Sequence, residues 1–83
     1  MKFEEALILM RDGKYVTRKV YNDCCRWYLK TDEVGIIHLM KDLKWNYPNK
    51  DGGYDTEWLH RDIRFLEMYD LLAEDWEVFN NGL

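Results

Sequence analysis

The N-terminal part of the chain changes from a helical to a strand periodicity. Apolar side chains recur three or four residues apart, at Phe3, Ala6, Leu7 and Met10. This spacing predicts a helix over about residues 2–11, which Gly13 ends in a left-handed conformation. From Lys14 to Tyr21 the period is two, which places Val16 and Val20 on one face of a strand and Tyr21 on the other. This succession predicts a helix packed on a sheet.

The middle of the chain predicts two further strands. They cover residues 26–30 and 34–40 and are joined around Asp32 and Glu33. The second of them is apolar on both sides. We therefore expect it either at the centre of the sheet or in a contact between subunits.

The region before the C-terminal segment has no clear periodicity. Residues 41–56 contain the only proline, the Gly52-Gly53 pair and many polar side chains, and we predict a long loop there. Residues 57–68 fit either a helix or a strand. We predict a helical turn near Trp58 followed by a strand through Phe65.

The C-terminal segment predicts a short helix and a closing strand. Asp70 is suited to the N-cap of a helix that runs through Glu74, and residues 76–79 then alternate as a strand with Trp76 in the core. The fold class is therefore α+β. Its predicted architecture is an N-terminal helix packed on a small antiparallel sheet, with a short helix before the C-terminal strand.

Length, charge and composition limit the classes of function. The 83 residues are expected to form one domain over 1–83, and the net charge of −4 disfavours a nucleic acid polymer as partner. No apolar run approaches ~18 residues, so we expect no membrane association. No leader precedes the first helix, so we expect a location in the cytosol. Aromatic residues make up 16 % of the chain, which predicts some rings at a surface, an interface or a pocket.

The sequence lacks the usual signs of catalysis and of metal binding. Serine is absent, and no histidine is placed beside the adjacent Cys24 and Cys25, which we expect to be reduced. These cysteines with His38 and His60 do not have the spacing of zinc ligands. We therefore expect no catalytic residue, no metal and no cofactor.

The two ends of the chain resemble a known family. Residues 3–7 read Phe-x-Glu-Ala-Leu, residues 13–18 read Gly-Lys-x-Val-x-Arg, and residues 70–78 read Asp-x-Leu-Ala-x-Asp-Trp-x-Val. In this combination the chain resembles the second type of Thoeris anti-defence proteins, which are small phage proteins. The family usually has Trp-Asn-Gly after the first strand, where this chain has Tyr21-Asn22-Asp23. It often has a Trp and a Pro-Ser before the terminal motif, where this chain has residues 64–67.

The resemblance implies a function that consists of binding alone. Family members bind a cyclic ADP-ribose-type signal made by bacterial Thoeris defence and sequester it without cleaving it, and some also hold cyclic dinucleotides. They assemble as homotetramers with ligand pockets at subunit contacts. The resemblance thus implies a phage sponge for a nucleotide signal, a homotetramer, and an immune-evasion role.

Three candidate ligand residues lie around the first strand. Tyr21 could stack on a purine, or be a half-buried tyrosine of the sheet. Asn22 could contact a base edge or a ribose, or close a turn. Arg18 shares the face of the valines and could bind phosphate with its fork, or form an ion pair with Asp75 or Glu77.

Three further candidates lie near the terminal motif. Arg64 and Phe65 stand where relatives often carry a Trp, and could supply a phosphate donor and a ring. Asp70 could accept hydrogen bonds from ribose hydroxyls in addition to capping a helix. A rival hypothesis is a small acidic inhibitor that binds a host enzyme through its aromatic surface, because aromatic residues are enriched in interface cores.

Overall fold

The computed structural model describes residues 1–21 and 23–80, which form one helix-covered antiparallel sheet and a short second helix. The elements in chain order are α1 (Phe3–Arg11), β1 (Val16–Arg18), β2 (Cys25–Thr31), β3 (Ile37–Pro48), β4 (Tyr54–Asp62), α2 (Met68–Leu71) and β5 (Trp76–Val78). The strand order in the sheet is β4-β3-β2-β1-β5, and every pairing is antiparallel. This confirms the α+β class, the N-terminal helix and the short helix before the last strand.

Helix α1 forms where the apolar spacing predicts it. Glu4 and Glu5 lie in its first turn and Arg11 in its last, which suits the helix dipole. Gly13 follows with φ +86°, a conformation that disfavours residues with a Cβ. The two helices have nine and four residues, and within the described ranges neither is long and apolar enough to cross a membrane.

The core lies between α1 and the β2, β1 and β5 side of the sheet. Its fully buried members are Ala6, Met10, Val16, Cys25, Trp27 and Trp76. The indoles of Trp27 and Trp76 meet edge to face with centroids 5.0 Å apart, and the Phe3 ring packs 5.4 Å from Trp76. Aromatic pairs in this arrangement add about 0.5–1.5 kcal/mol beyond the area that they bury.

The loop predicted for residues 41–56 is wrong, because this region belongs to a long hairpin. Strands β3 and β4 pair without interruption from Met40 opposite Asp62 to Pro48 opposite Tyr54. Only residues 49–53 form the turn, where the Asn49 side chain accepts hydrogen bonds from two backbone N–H groups. Because α1 leaves this hairpin uncovered, polar side chains occupy both of its faces and the apolar alternation of a half-buried strand is missing.

The prediction for residues 57–68 is also wrong. Trp58 lies in the middle of β4 and not in a helical turn, and Phe65 lies after the strand, 88 % exposed. The turn around Asp32 is confirmed, and one of its carboxylate oxygens accepts from the backbone N–H of Val34 and Ile36. The following strand begins at Ile37 rather than at residue 34, because this turn occupies the residues between.

The first strand is shorter than its periodicity predicts. It ends at Arg18, and residues 19–21 form a 3₁₀ turn. The backbone N–H of Lys19 donates to the carbonyl of Asp75 (3.0 Å), and that of Val20 donates to its carboxylate (3.1 Å). These bonds bend the chain, so Val20 is 55 % exposed instead of sharing the buried face of Val16.

Candidate functional site

A buried arginine joins the two ends of the chain. Arg18 is 5 % exposed, and its Nη1 donates to Asp70 Oδ1 and its Nε to Asp75 Oδ1, both over 2.7 Å. Its guanidinium also lies 5.4 Å from the Tyr21 ring centroid and 4.6 Å from that of Tyr69. We call Arg18, Tyr21, Tyr69, Asp70 and Asp75 the Arg18 cluster. The ion pair expected between Arg18 and Asp75 is confirmed.

Strand register and the short helix assemble this cluster. Arg18 lies opposite Trp76 in the β1–β5 pairing, so it reaches Asp75, the residue just before β5. Helix α2 brings Asp70 over the same guanidinium, and the Trp76 indole fixes its backbone by donating to the Asp70 carbonyl (2.9 Å). The sheet edge and α2 therefore hold one arginine from two sides.

The N-cap predicted at Asp70 is wrong. The N-cap position is Glu67, and Asp70 lies inside the helix with 6 % of its surface exposed. Its Oδ1 accepts from Arg18 and, at 3.3 Å, from the Tyr21 hydroxyl. Its placement is decided by the ion pair with Arg18, which is buried and distant in the chain. A local capping pattern does not indicate such a pairing.

The cluster shifts the ionisation of its members. Burial alone would lower the pKa of Arg18, but the hydrogen bonds to Asp75 and Asp70 more than offset this and raise it above its ordinary value. The bond from Arg18 lowers the pKa of Asp75. Burial, followed by the charge of Asp70, raises the pKa of the Tyr21 phenol. Tyr21 therefore stays a neutral hydrogen-bond donor at physiological pH.

A small cavity opens beside the cluster. It measures about 90 Å³ and is lined by Trp27, Lys41, Ile63, Phe65, Leu66, Glu67 and Asp70. The Lys41 ammonium lies 4.7 Å from the Trp27 ring centroid and 5.5 Å from that of Tyr21. The cavity thus combines two aromatic rings, one cation and two carboxylates in a single place.

Asp70 belongs to both the cluster and the cavity. Within the described residues both of its side-chain hydrogen bonds end on Oδ1. The residue also lines the cavity. A carboxylate oxygen accepts up to two hydrogen bonds, as a ribose diol would donate.

The six residues singled out by the sequence divide between these features. Arg18, Tyr21 and Asp70 come together in the cluster, and Phe65 lines the cavity. Arg64 is exposed and does not line it. Asn22 lies outside the described residues, so its predicted contact with a base or ribose stays a prediction.

Sequence reasoning missed Lys41 and Trp27. The two lie directly opposite each other in the β2–β3 pairing, so their side chains share a face. Lys41 fell in the region predicted as a loop, where it has no defined neighbours. The correct register of β2 and β3 is the signal that would have placed it beside the rings.

A second arginine–aspartate cluster occupies the opposite face of the sheet. Asp42 is fully buried, with Oδ2 accepting from Arg26 Nε (2.8 Å) and Oδ1 contacting the Tyr28 hydroxyl (3.0 Å) and His60 Nδ1 (2.7 Å). Burial and the bond to Asp42 raise the pKa of Tyr28 to about 12. Three rings, Tyr15, Trp58 and Phe79, lie 4.2–5.8 Å from the Arg26 guanidinium. We call Arg26, Tyr28, Asp42 and His60 the Arg26 cluster.

Two larger hollows lie elsewhere on the surface. One of about 360 Å³ lies between the start of α1 and the segment after α2, and its charged lining is Lys2, Glu4 and Glu74. Another of about 760 Å³ lies at the β3–β4 turn, where the lining carries Lys50, Asp51 and Asp55. Neither lining includes a residue of the Arg18 cluster, so we place the candidate site at the smaller cavity, which Asp70 of that cluster lines together with Lys41 and Trp27.

The comparisons with known proteins connect this geometry to a family. A model of the Thoeris anti-defense 2-like domain matches residues 1–79, nearly the whole chain. No curated protein and no solved structure gives a significant match. The matched range covers α1, the sheet and the candidate site, and it supports a phage role against Thoeris defence that is consistent with a non-catalytic protein. The resemblance found at the two ends is thus confirmed, and the chain belongs to the Thoeris anti-defense 2-like family.

Proposed function

We propose that the protein is a sponge that binds a cyclic ADP-ribose-type signal at the cavity beside the Arg18 cluster and sequesters it without cleaving it. The observation that carries the proposal is that Lys41, Trp27 and Asp70 line one cavity, with the Tyr21 ring centroid 5.5 Å from the Lys41 ammonium. A cyclic ADP-ribose presents a purine, ribose hydroxyls and a diphosphate. Each of these has a partner of matching chemistry among these four residues.

The three parts of the ligand would be held by different side chains. The Lys41 ammonium supplies charge-assisted hydrogen bonds to the diphosphate. Tyr21 and Phe65 offer ring faces for the purine, and stacking of this kind contributes about 1–3 kcal/mol per base. Asp70 Oδ2 accepts from ribose hydroxyls, and the ion pair with Arg18 holds its carboxylate in place.

Arg18 acts in this proposal as a positioning residue. Two of its nitrogens already donate to carboxylates, and only 5 % of its surface is exposed. A phosphate would have to displace Asp70 or Asp75 to reach those nitrogens. The exposed Arg64 beside Phe65 is a better second donor, because the structure gives its charge no carboxylate partner within the described ranges.

The size of the cavity argues for a site completed by a second chain. Pockets for small ligands commonly measure about 300–1,000 Å³, whereas this cavity measures about 90 Å³. Large apolar side chains stand exposed in the lining and in the α2 segment that follows it, with Phe65 at 88 %, Met68 at 64 % and Leu72 at 72 %, and we call this surface the rim. Exposed apolar surface of this kind marks interaction sites. We propose that copies of the chain meet at this rim in a homotetramer and close the site.

A thermal-shift series tests the binding. Cyclic ADP-ribose isomers and cyclic dinucleotides are added at increasing concentration, and a ligand at 100 times its dissociation constant stabilises the folded protein by about 2.7 kcal/mol. We expect at least one cyclic ADP-ribose isomer to raise the melting temperature. Heating the complex afterwards should return intact ligand, and recovery of a cleaved product would reject the sponge in favour of a hydrolase.

Lys41→Met tests the assignment of the site, because it removes the ammonium and keeps the aliphatic stem. The matched control is Lys44→Met on the same strand, whose side chain lies on the opposite face. We expect Lys41→Met to weaken binding by about tenfold or more, in line with the loss of a charge-assisted bond, and Lys44→Met to leave it unchanged. Equal affinities of the two variants would place the ligand elsewhere.

The exposed rim also fits the rival function of a protein-binding inhibitor. Met68, Tyr69 and Leu72 present apolar and aromatic surface, as interface cores do. The two functions differ in one measurement. A melting temperature that no nucleotide changes, together with capture of one host enzyme that Met68→Asp and Leu72→Asp abolish, would support the inhibitor.

A further inference from the structure

The two edges of the sheet differ in length and exposure. Strand β5 forms one edge and has three residues. Strand β4 forms the other edge and has nine, with every side chain from Tyr54 to Asp62 exposed except that of Trp58, which is half-buried. Its pairing with β3 contains no bulge, and the strand contains neither proline nor lysine. Bulges, proline and lysine are among the devices that protect an edge strand from pairing with another chain, as are charged side chains in general, of which β4 has Asp55, Glu57, Arg61 and Asp62.

The charges on this edge are arranged symmetrically around its midpoint. Trp58 is the middle residue of β4, with four residues on either side. Asp55 stands three positions before it and Arg61 three positions after it. An antiparallel copy of the strand related by a two-fold axis at Trp58 therefore places Asp55 of each chain opposite Arg61 of the other. Opposite charges in directly facing positions stabilise a strand pair, and like charges destabilise it.

Within one chain, Arg61 has an unfavourable neighbour. It lies directly opposite Lys41 in the β3–β4 register, so two cations share one face of the hairpin. A carboxylate arriving on the outer side of Arg61 would offset this repulsion. Asp55 has one hydrogen bond, from the Asn49 side chain over 3.2 Å, which leaves further acceptor capacity for a guanidinium.

From these observations we infer that β4 is a self-association surface, on which a second copy of the chain adds its own β4 antiparallel in the register centred on Trp58. Two five-stranded sheets then form one continuous ten-stranded sheet with two Asp55–Arg61 pairs across the junction. The inference does not depend on the ligand. A protein that binds no nucleotide could still pair in this way, and a nucleotide-binding protein could fail to.

A charge exchange tests the register. Asp55→Arg and Arg61→Asp each place like charges opposite each other twice, and the double variant Asp55→Arg/Arg61→Asp restores both pairs. We expect each single variant to halve the mass of the assembly in native mass spectrometry, with a dimer dissociation constant raised about tenfold or more, and the double variant to recover it. Glu57→Arg is the matched control, because in this register Glu57 faces Leu59.

The outcomes separate cleanly. A monomeric wild-type chain at micromolar concentration, single variants that assemble as the wild type does, or a double variant that fails to recover the mass would each overturn the inference. Disruption by Glu57→Arg without disruption by Asp55→Arg would also overturn it, since it requires a different register. Circular dichroism of the single variants with halved mass checks that they are folded. Nucleotide binding is measured separately by the thermal shift.

Discussion

The Arg18 cluster and the Arg26 cluster use the same pair of residue types for different purposes. In each, an arginine lies among aromatic rings and donates to a buried aspartate over 2.7–2.8 Å; Arg18 is buried and Arg26 is half-buried. In the Arg26 cluster both oxygens of Asp42 are occupied and nothing of the residue is exposed. In the Arg18 cluster the side-chain hydrogen bonds of Asp70 within the described residues end on Oδ1, and the residue lines a cavity. Asp42 is thus saturated by the fold, whereas the proposed function assigns the second oxygen of Asp70 to the ligand.

The surroundings of the two clusters differ in the same sense. The rings around Arg26 come from the sheet and its end, and Trp58 and Phe79 pack edge to face with centroids 5.8 Å apart, closing the cluster. Around Arg18, Tyr69 is 59 % exposed and Phe65 at the cavity is 88 % exposed. One cluster is thus complete within a single chain, whereas the other is bordered by apolar surface that a partner or ligand would cover.

The largest expected effect is that of Asp42→Ala. Removing one member of a buried ion pair typically costs about 3–5 kcal/mol, because the remaining charge stays buried without its partner. We expect a loss of this size in the free energy of unfolding measured with urea. Asp51→Ala in the exposed β3–β4 turn is the control and should change stability by about 0.5 kcal/mol or less. A loss below about 1 kcal/mol for Asp42→Ala would contradict the structural role of the Arg26 cluster.

The second prediction separates stability from binding at Asp70. Asp70→Asn keeps the shape but weakens a bond to a charged group, and we expect a loss of about 1.5–3 kcal/mol in unfolding free energy together with loss of the nucleotide-induced thermal shift. Asp75→Asn is matched to it, because Asp75 binds the same arginine but does not line the cavity. That variant should be destabilised and still bind. Binding by Asp70→Asn with unchanged affinity would show that its second oxygen is not used.

The third prediction concerns the backbone beside Tyr21. Asp23 has φ +65°, in the left-handed region that favours glycine. A residue with a Cβ costs roughly 1–2 kcal/mol there relative to one without. We expect Asp23→Gly to raise the unfolding free energy by about 1 kcal/mol, with a thermal melt as the measurement. An unchanged or lower melting temperature would mean that the aspartate side chain offsets the strain.

The smallest expected effect is a pH dependence of stability that comes from His38. His38 Nε2 lies 2.8 Å from Asp32 Oδ2 and its Nδ1 lies 2.8 Å from Asp62 Oδ2. The hydrogen bond to Asp32, partly opposed by desolvation, raises the pKa of His38 above 6.5. A raised histidine pKa stabilises the folded state fully below pH 6.5, and the contribution is lost as the pH rises through the folded-state value. Stability should therefore fall from about pH 6 towards pH 8.

His38→Gln provides the check on this dependence. The variant should be less stable than the wild type at pH 6 and should lose the decline between pH 6 and pH 8, as measured by urea denaturation at each pH. The Arg18 cluster adds no pH dependence of stability between pH 6 and pH 8. Arg18 lowers the pKa of Asp75 by stabilising its ionised form, so this contribution to stability is lost only at acidic pH. An unaltered slope in the variant would assign the dependence to another group.

Local patterns predicted what local forces decide. The spacing of Ala6 and Met10 gave α1, Gly13 gave its end, and the turn at Asp32 followed from its residue types. An ion pair of Arg18 with Asp75 or Glu77 was also predicted, since a buried guanidinium requires a carboxylate, and the structure shows Asp75 as the partner. These features depend on neighbours in the sequence or on a single strong requirement.

Long-range pairing decided the rest. Asp70 has the composition of a cap, but Arg18, 52 positions away, draws its carboxylate into the interior. The β3–β4 hairpin is held by backbone pairing and carries polar side chains even at buried Asp42, so hydrophobic alternation does not identify it. Lys41 was missed for that reason. The ligand role of Tyr21 stays a prediction, and its position in a 3₁₀ turn depends on bonds to Asp75 that the periodicity does not show.

Trp27 belongs at once to the core and to the cavity, with 1 % of its surface exposed. In evolution this ties two properties together, because any change of its side chain that altered the cavity would also disturb the packing against Trp76. Phe65 and Glu67 also line the cavity, but both are exposed and neither packs in the core. Substitutions at these two positions can therefore change the lining of the cavity while the packing of the tryptophan beneath it stays intact.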